Sequence, residues 1–106
     1  MRVLLDECLP RKLKSELTEH EVRTAQKEGW AGLKNGALLQ IASGRFDVLL
    51  TVDRSITFQQ NLEGLRIGIV AMIAKSNRFR DLRPLMVHVR QALTRSKPGE
   101  VLRVSG

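Results

Sequence analysis

Three stretches of this chain are apolar without interruption: VLL from Val3, VLL from Val48, and IGIVAMI from Ile67. A strand with one face in water alternates apolar and polar side chains, because successive residues point to opposite faces. A strand that is apolar at every position has both faces covered, which is the signature of a parallel sheet with helices on either side. The segments between these runs agree. Leu9, Leu13 and Leu17 recur at helical spacing behind Pro10, a residue suited to a helix start. Asn35 is placed to cap a short helix through Ser43, with Leu38, Leu39, Ile41 and Ala42 turned inward and Gly44 as its stop. Asp81 is placed to cap a longer helix with Pro84 in its tolerant first turn and an apolar stripe at Leu82, Leu85, Met86, Val89 and Leu93.

The remaining segments complete the pattern. Glu21–Ala25 suits a second strand, and KEGWAGLKNG is too rich in turn residues for a helix. DVLLTVD gives a third strand, SITFQQNLEG a short helix or turn, Leu65–Ile73 a fourth strand and EVLRV a fifth. Parallel strands are joined by right-handed crossovers. The expected fold is therefore α/β, a three-layer α/β/α sandwich with a mainly parallel central sheet. The 106 residues suffice for one such domain, spanning 1–106.

Two strands end in acids. The first runs into Asp6 and Glu7, the third into Asp53. Open parallel sheets bind ligands beyond the carboxyl ends of their strands, where strand order reverses. If the first strand lies beside the third, Asp6 and Asp53 converge on that edge, and Glu7 joins them if the strand end bends. Carboxylates brought together repel unless a cation offsets them, and hard divalent ions such as Mg²⁺ or Mn²⁺ take oxygen ligands of this kind. Either aspartate alone would serve equally as a turn or cap residue. Lys75, Ser76 and Asn77 follow the fourth strand onto the same edge, where a lysine can meet a phosphate and the polar pair can add hydrogen bonds. A solvated loop accounts for them as well.

Charge is unevenly distributed along the chain. Residues 1–74 carry ten basic and nine acidic side chains, whereas residues 75–106 carry eight basic ones, Arg78, Arg80 and Arg83 among them, against Asp81 and Glu100. A segregated basic end is the electrostatic footprint of a polyanion partner. With three Phe, one Trp and no Tyr, a base-stacking platform is not expected. Trp30 reads as a loop anchor, and His20 and His88 lack partners at ligand spacing. Cys8, the single cysteine, has no disulfide partner within the chain and reads as a small core filler, as expected of a reducing compartment. No apolar run approaches the roughly 20 residues of a membrane span, and the first strand is too short for a signal peptide, so a cytoplasmic location is expected. No phosphate-binding loop, dinucleotide fingerprint or paired-cysteine motif is present.

LLDECLP, KNGALLQIA and DVLLTVD, with AKSNRFRDLRPL and the closing KPGEV, resemble the small bacterial PIN-like family related to VapC-type toxins. The resemblance runs along most of the chain and implies a Mg²⁺- or Mn²⁺-dependent ribonuclease of a toxin–antitoxin pair, often dimeric and silenced by a cognate antitoxin. It implies that Asp6 and Asp53 are metal-binding, catalytic acids, with Glu7 a further ligand or the group orienting water. Lys75, Ser76, Asn77, Arg78, Arg80 and Arg83 would then hold the RNA backbone. Asn35 stands where related sequences often carry an acid, so an uncharged amide replaces a carboxylate there. Two other readings remain: a basic binding module without catalysis, and a phosphoacceptor receiver domain. The final strand lacks the lysine that the receiver requires.

Overall fold

The computed structural model describes residues 1–52 and 62–106. The segment 53–61, which carries Asp53 and most of SITFQQNLEG, lies outside the described residues. Five strands form one sheet: β1 (Arg2–Leu5), β2 (Glu21–Thr24), β3 (Val48–Thr51), β4 (Gly68–Ile73) and β5 (Val101–Ser105). All neighbours are parallel, in the order β2-β1-β3-β4-β5. This is one of the common doubly wound orders, and the strand order reverses at β1, which has β2 on one side and β3 on the other. In register, Leu5 stands level with Thr24 on one side and Leu50 on the other.

The uninterrupted apolar runs have the cause the sequence suggests. Val3, Leu4 and Leu5 of β1 and Leu49 and Leu50 of β3 are each 0% exposed. Alternate side chains feed two cores. Val3, Leu5, Val48, Leu50, Val70 and Met72 pack with Leu13, Leu17, Val89 and Leu93 on one face. Leu4, Leu49 and Ile69 pack with Leu38, Leu39 and Ala42 on the other. Each fully buried leucine contributes about 1.5–3 kcal/mol relative to an exposed one.

The helices show where local chemistry shifts the expected boundaries. The segment after Pro10 is a 3-10 helix, Arg11–Glu16, with Pro10 at its N-cap position. Leu9, Leu13 and Leu17 are nonetheless buried on one side, as expected. Helix α1 (Asn35–Ala42) starts one residue earlier than expected: Lys34 holds the N-cap position, makes no side-chain cap bond, and leaves Asn35 as the first helical residue. Gly44 stops it as expected, with φ at 80°.

The expected long helix is divided into α2 (Phe79–Leu82), a 3-10 turn at Arg83–Leu85 and α3 (Met86–Arg95). The proline ring excludes the ordinary helical N–H bond at Pro84, so the turn tightens there. Asp81 is correspondingly not a cap. Arg78 occupies the N-cap position and Asp81 lies in the first turn. The apolar stripe survives the division: Leu82, Leu85, Met86, Val89 and Leu93 are all buried, and α3 lies over β4 and β5. No helix among the described residues is long and apolar enough to cross a membrane.

At the amino end of β4, Gly68 fits because it has no side chain. A Cβ there would press on the Ser96 hydroxyl and lie 2.9 Å from the Lys97 carbonyl oxygen. Since that oxygen belongs to backbone entering the turn before β5, Gly68→Ala should cost about 1–3 kcal/mol by overpacking. A lower urea midpoint at unchanged m-value would show this; an unchanged midpoint would mean that the turn yields freely.

Candidate functional site

The carboxyl ends of β1 and β3 meet at the reversal of strand order, and Asp6 stands on that junction. Its backbone N–H donates to the Leu50 carbonyl at 3.0 Å, extending the β1–β3 ladder by one residue. Its carbonyl accepts the Leu9 N–H at 3.0 Å, which turns the chain away from the sheet. The carboxylate is nearly enclosed, with the residue 7% exposed. Oδ2 accepts the Thr51 hydroxyl at 2.7 Å, and Oδ1 accepts the Glu7 N–H at 2.8 Å. A carboxylate taken from water needs such donors, and hydrogen bonds to a charged acceptor are the stronger kind. Thr51 itself is 0% exposed, so its hydroxyl is fixed in place.

Cys8 sits against the same group. Burial, and then the charge of Asp6, push its thiol above the ordinary range. Contacts with the Val52 backbone and the Thr51 side chain act in the opposite direction without cancelling the rise. A thiol held protonated is a poor nucleophile, which agrees with Cys8 as a filler that packs against the core.

Glu7 takes a different course from Asp6. It is exposed, and both of its carboxylate oxygens accept the Gly32 N–H at 3.1 Å. Its own carbonyl accepts from the Gln26 side chain at 3.0 Å. Glu7 therefore ties the β1 turn to the loop holding Trp30, whose ring meets Phe46 edge-on with centroids 5.9 Å apart. Trp30 is thus the loop anchor that the sequence suggests.

The loop after β4 is brought onto the same turn. Asn77 donates through its side-chain amide to the Cys8 carbonyl at 2.9 Å, across 69 residues of chain. Ser76 is engaged locally: its hydroxyl donates to Asp81 and accepts the Arg78 N–H at 3.0 Å. That hydroxyl holds the Asp81 carboxyl below the usual range; slight desolvation opposes the effect, and Lys75, Arg80 and Arg78 add to it. Any stability from this partly exposed group is present above its unfolded-state pKa and fades as pH falls through the folded one. Lys75, Arg78, Arg80 and Arg83 are exposed. Asn35 opens α1 and is half-buried.

Of the residues expected to form the site, the fold brings together Asp6, Asn77 and the turn carrying Glu7. Asp53 lies outside the described residues, and among the described residues no group of three or more His, Cys, Asp or Glu side chains is placed to hold a metal. Sequence reasoning missed Thr51, the direct partner of Asp6. The signal was available: the threonine of T-x-D is the last residue of β3, one step beyond the Leu50 that pairs with Leu5.

Asp6 is an oxygen donor of the kind a hard divalent cation takes, and each of its oxygens retains lone-pair capacity beyond the bond it accepts, whereas the Thr51 hydroxyl is fully buried and donates to Asp6. The exposed Glu7 carboxylate, by contrast, is directed to the Gly32 N–H. No protein-family model matches the chain, and no curated protein or solved structure matches it either.

The Cys8 environment gives a direct probe of this cluster. Alkylation by iodoacetamide should be slower than for an unhindered thiol and rise with pH only above the ordinary thiol range. Asp6→Asn removes the adjacent negative charge and should shift the rise to lower pH. An unshifted profile in a variant shown to be folded by circular dichroism would separate Cys8 from Asp6.

Proposed function

We propose that this chain is a metal-dependent ribonuclease of the PIN-like type, built as a three-layer α/β/α sandwich and hydrolysing RNA phosphodiester bonds. The observation that carries the reading is the buried Asp6 carboxylate at the reversal of strand order, held by Thr51 and the Glu7 N–H. Sheets of this order place their ligands at that point. Asp6 would hold Mg²⁺ or Mn²⁺ together with Asp53, the acid of the T-x-D motif. A bound divalent ion supplies a nucleophile from water and stabilises charge on the scissile phosphate.

The chain's own residues would do the rest. Thr51 fixes the orientation of Asp6. Asn77 holds the loop after β4 against the Asp6 turn, which sets Lys75 and Arg78 on the same sheet edge as positions for the RNA backbone. Arg80 and Arg83 continue that basic surface. Phosphate contacts of this kind position a strand without reading its sequence. The assignment to a toxin–antitoxin pair, with a cognate antitoxin and a homodimer as partners in the cytoplasm, has the motif resemblance as its support.

One observation favours a second reading, a basic binding module without catalysis. It is the Glu7 carboxylate accepting the Gly32 N–H, and the motif resemblance adds that Asn35 stands where related sequences often carry an acid. RNA cleavage by the purified protein in Mn²⁺, Mg²⁺ or EDTA separates the two. The nuclease requires cleavage that depends on metal and is lost in Asp6→Asn and in Asp53→Asn, with RNA binding retained. Cleavage that persists in both variants would come from another protein, and RNA binding without any cleavage would establish the module.

A further inference from the structure

The basic groups expected to meet RNA all lie on the β4 side of Asp6. On the β2 side the chain forms a recess that the sequence did not announce. Leu9 borders it from the turn after β1 and Arg11 from the start of the 3-10 helix, with Thr24 at the end of β2 and Gln26 and Lys27 in the turn that follows; its volume is about 440 Å³. The two turns are joined to the Asp6 segment. The Ala25 N–H donates to the Leu5 carbonyl at 2.9 Å, and the Gln26 amide donates to the Glu7 carbonyl at 3.0 Å. Thr24 is buried, and its hydroxyl accepts the Lys27 N–H at 3.2 Å, which fixes the backbone beneath the lysine.

The charge of this recess is positive. Arg11 and Lys27 are exposed, and among the described residues neither enters an ion pair, whereas Arg23 pairs with Glu28 and, at the amino edge of the sheet, Arg2 with Glu21. A smaller recess of about 130 Å³ shares Thr24 and Lys27 and adds Lys14.

We propose that Arg11 and Lys27 form a second anchoring point for the phosphodiester backbone of a nucleic acid that crosses the carboxyl edge of the sheet. The inference rests on the reading of that edge as a polyanion site. From the β2 end to the β4 end is three inter-strand steps, about 14 Å, so the two cationic groups flank Asp6 at a spacing that a few nucleotides can bridge. Exposure of the two side chains decides between ligands. A single phosphate held by hydrated, exposed cations gains little, because such pairs are weak. A polyanion already held by Lys75 and Arg78 presents its next phosphates at high effective concentration, which makes the same contacts worthwhile. The arginine suits a bidentate grip on phosphate, and the lysine suits a point contact.

The test is binding of a fluorescein-labelled oligouridylate by anisotropy in EDTA, so that cleavage plays no part, across a series of KCl concentrations. Arg11→Ala and Lys27→Ala should each reduce the slope of log K against log[salt] by about 0.7, and the double variant by about 1.4. Arg45→Ala, an exposed cation at the amino edge of the sheet, should leave the slope unchanged. Inorganic phosphate at matched ionic strength should displace the RNA no better than chloride does.

A wild-type slope in the Arg11 and Lys27 variants, with a reduced slope in Lys75→Ala and Arg78→Ala, would overturn this anchoring point and leave the polyanion site intact. An equal reduction in Arg45→Ala would reduce the effect to general charge and overturn it as well. Strong displacement by phosphate would make the recess a small-anion site instead. Failure of the wild-type protein to bind the RNA would overturn both readings.

Discussion

The hydrogen bond from the Thr51 hydroxyl to the Asp6 carboxylate is the constraint on which the rest of the structure turns. It joins the last residue of β3 to the first residue beyond β1, across 45 positions of sequence, at the centre of the sheet. A carboxylate in that position is costly to desolvate, and nothing in the packing of β1 calls for one. The fold accommodates it with a hydroxyl from the neighbouring strand and an N–H from its own turn. The same turn then receives Asn77 and Gln26, so the loops after β2 and β4 both settle on the segment following β1. Cys8 records the result in its raised thiol pKa, caused by burial and by Asp6.

Much of this architecture was legible in the sequence, for one physical reason. Strands covered on both faces must be apolar throughout, so β1, β3 and β4 stood out as runs, and their neighbouring helices carried apolar residues at helical spacing. The condition set for the two acids to converge, the first strand beside the third, is met. What could not be read depends on contacts between distant segments or on local competition. Glu7 follows Asp6 directly, yet it turns to Gly32, a loop residue with no periodic signal. Asp81 looked like a cap because it precedes an apolar stripe, but the helix begins two residues earlier and Ser76 takes the carboxylate. Pro84 was expected to be tolerated in a first turn, and it instead divides one helix into two.

Net charge along the chain proved a coarse guide to charge in space. The basic excess of residues 75–106 is spread over different parts of the fold. Lys75 and Arg78 follow β4 at the carboxyl edge, whereas the Arg90 guanidinium donates to the Glu16 carbonyl and helps seat α3 against the first 3-10 helix. Meanwhile Arg11 and Lys27, from the half of the chain that is nearly balanced, border a recess at the carboxyl edge. Parallel topology explains this. Every loop after a strand is delivered to one edge, so residues far apart in sequence are pooled there whatever the charge of their neighbours.

The central claim is that the junction of β1 and β3 holds a divalent cation. Addition of Mn²⁺ to isotopically labelled protein tests it most directly, because the paramagnetic ion broadens the backbone amide signals nearest to it. The account predicts selective loss of the Asp6, Glu7, Thr51 and Val52 amide signals, reversed by excess Mg²⁺ and abolished in Asp6→Asn. Broadening centred elsewhere, or none at all, would contradict it and leave Asp6 as a carboxylate that serves only to join two strands.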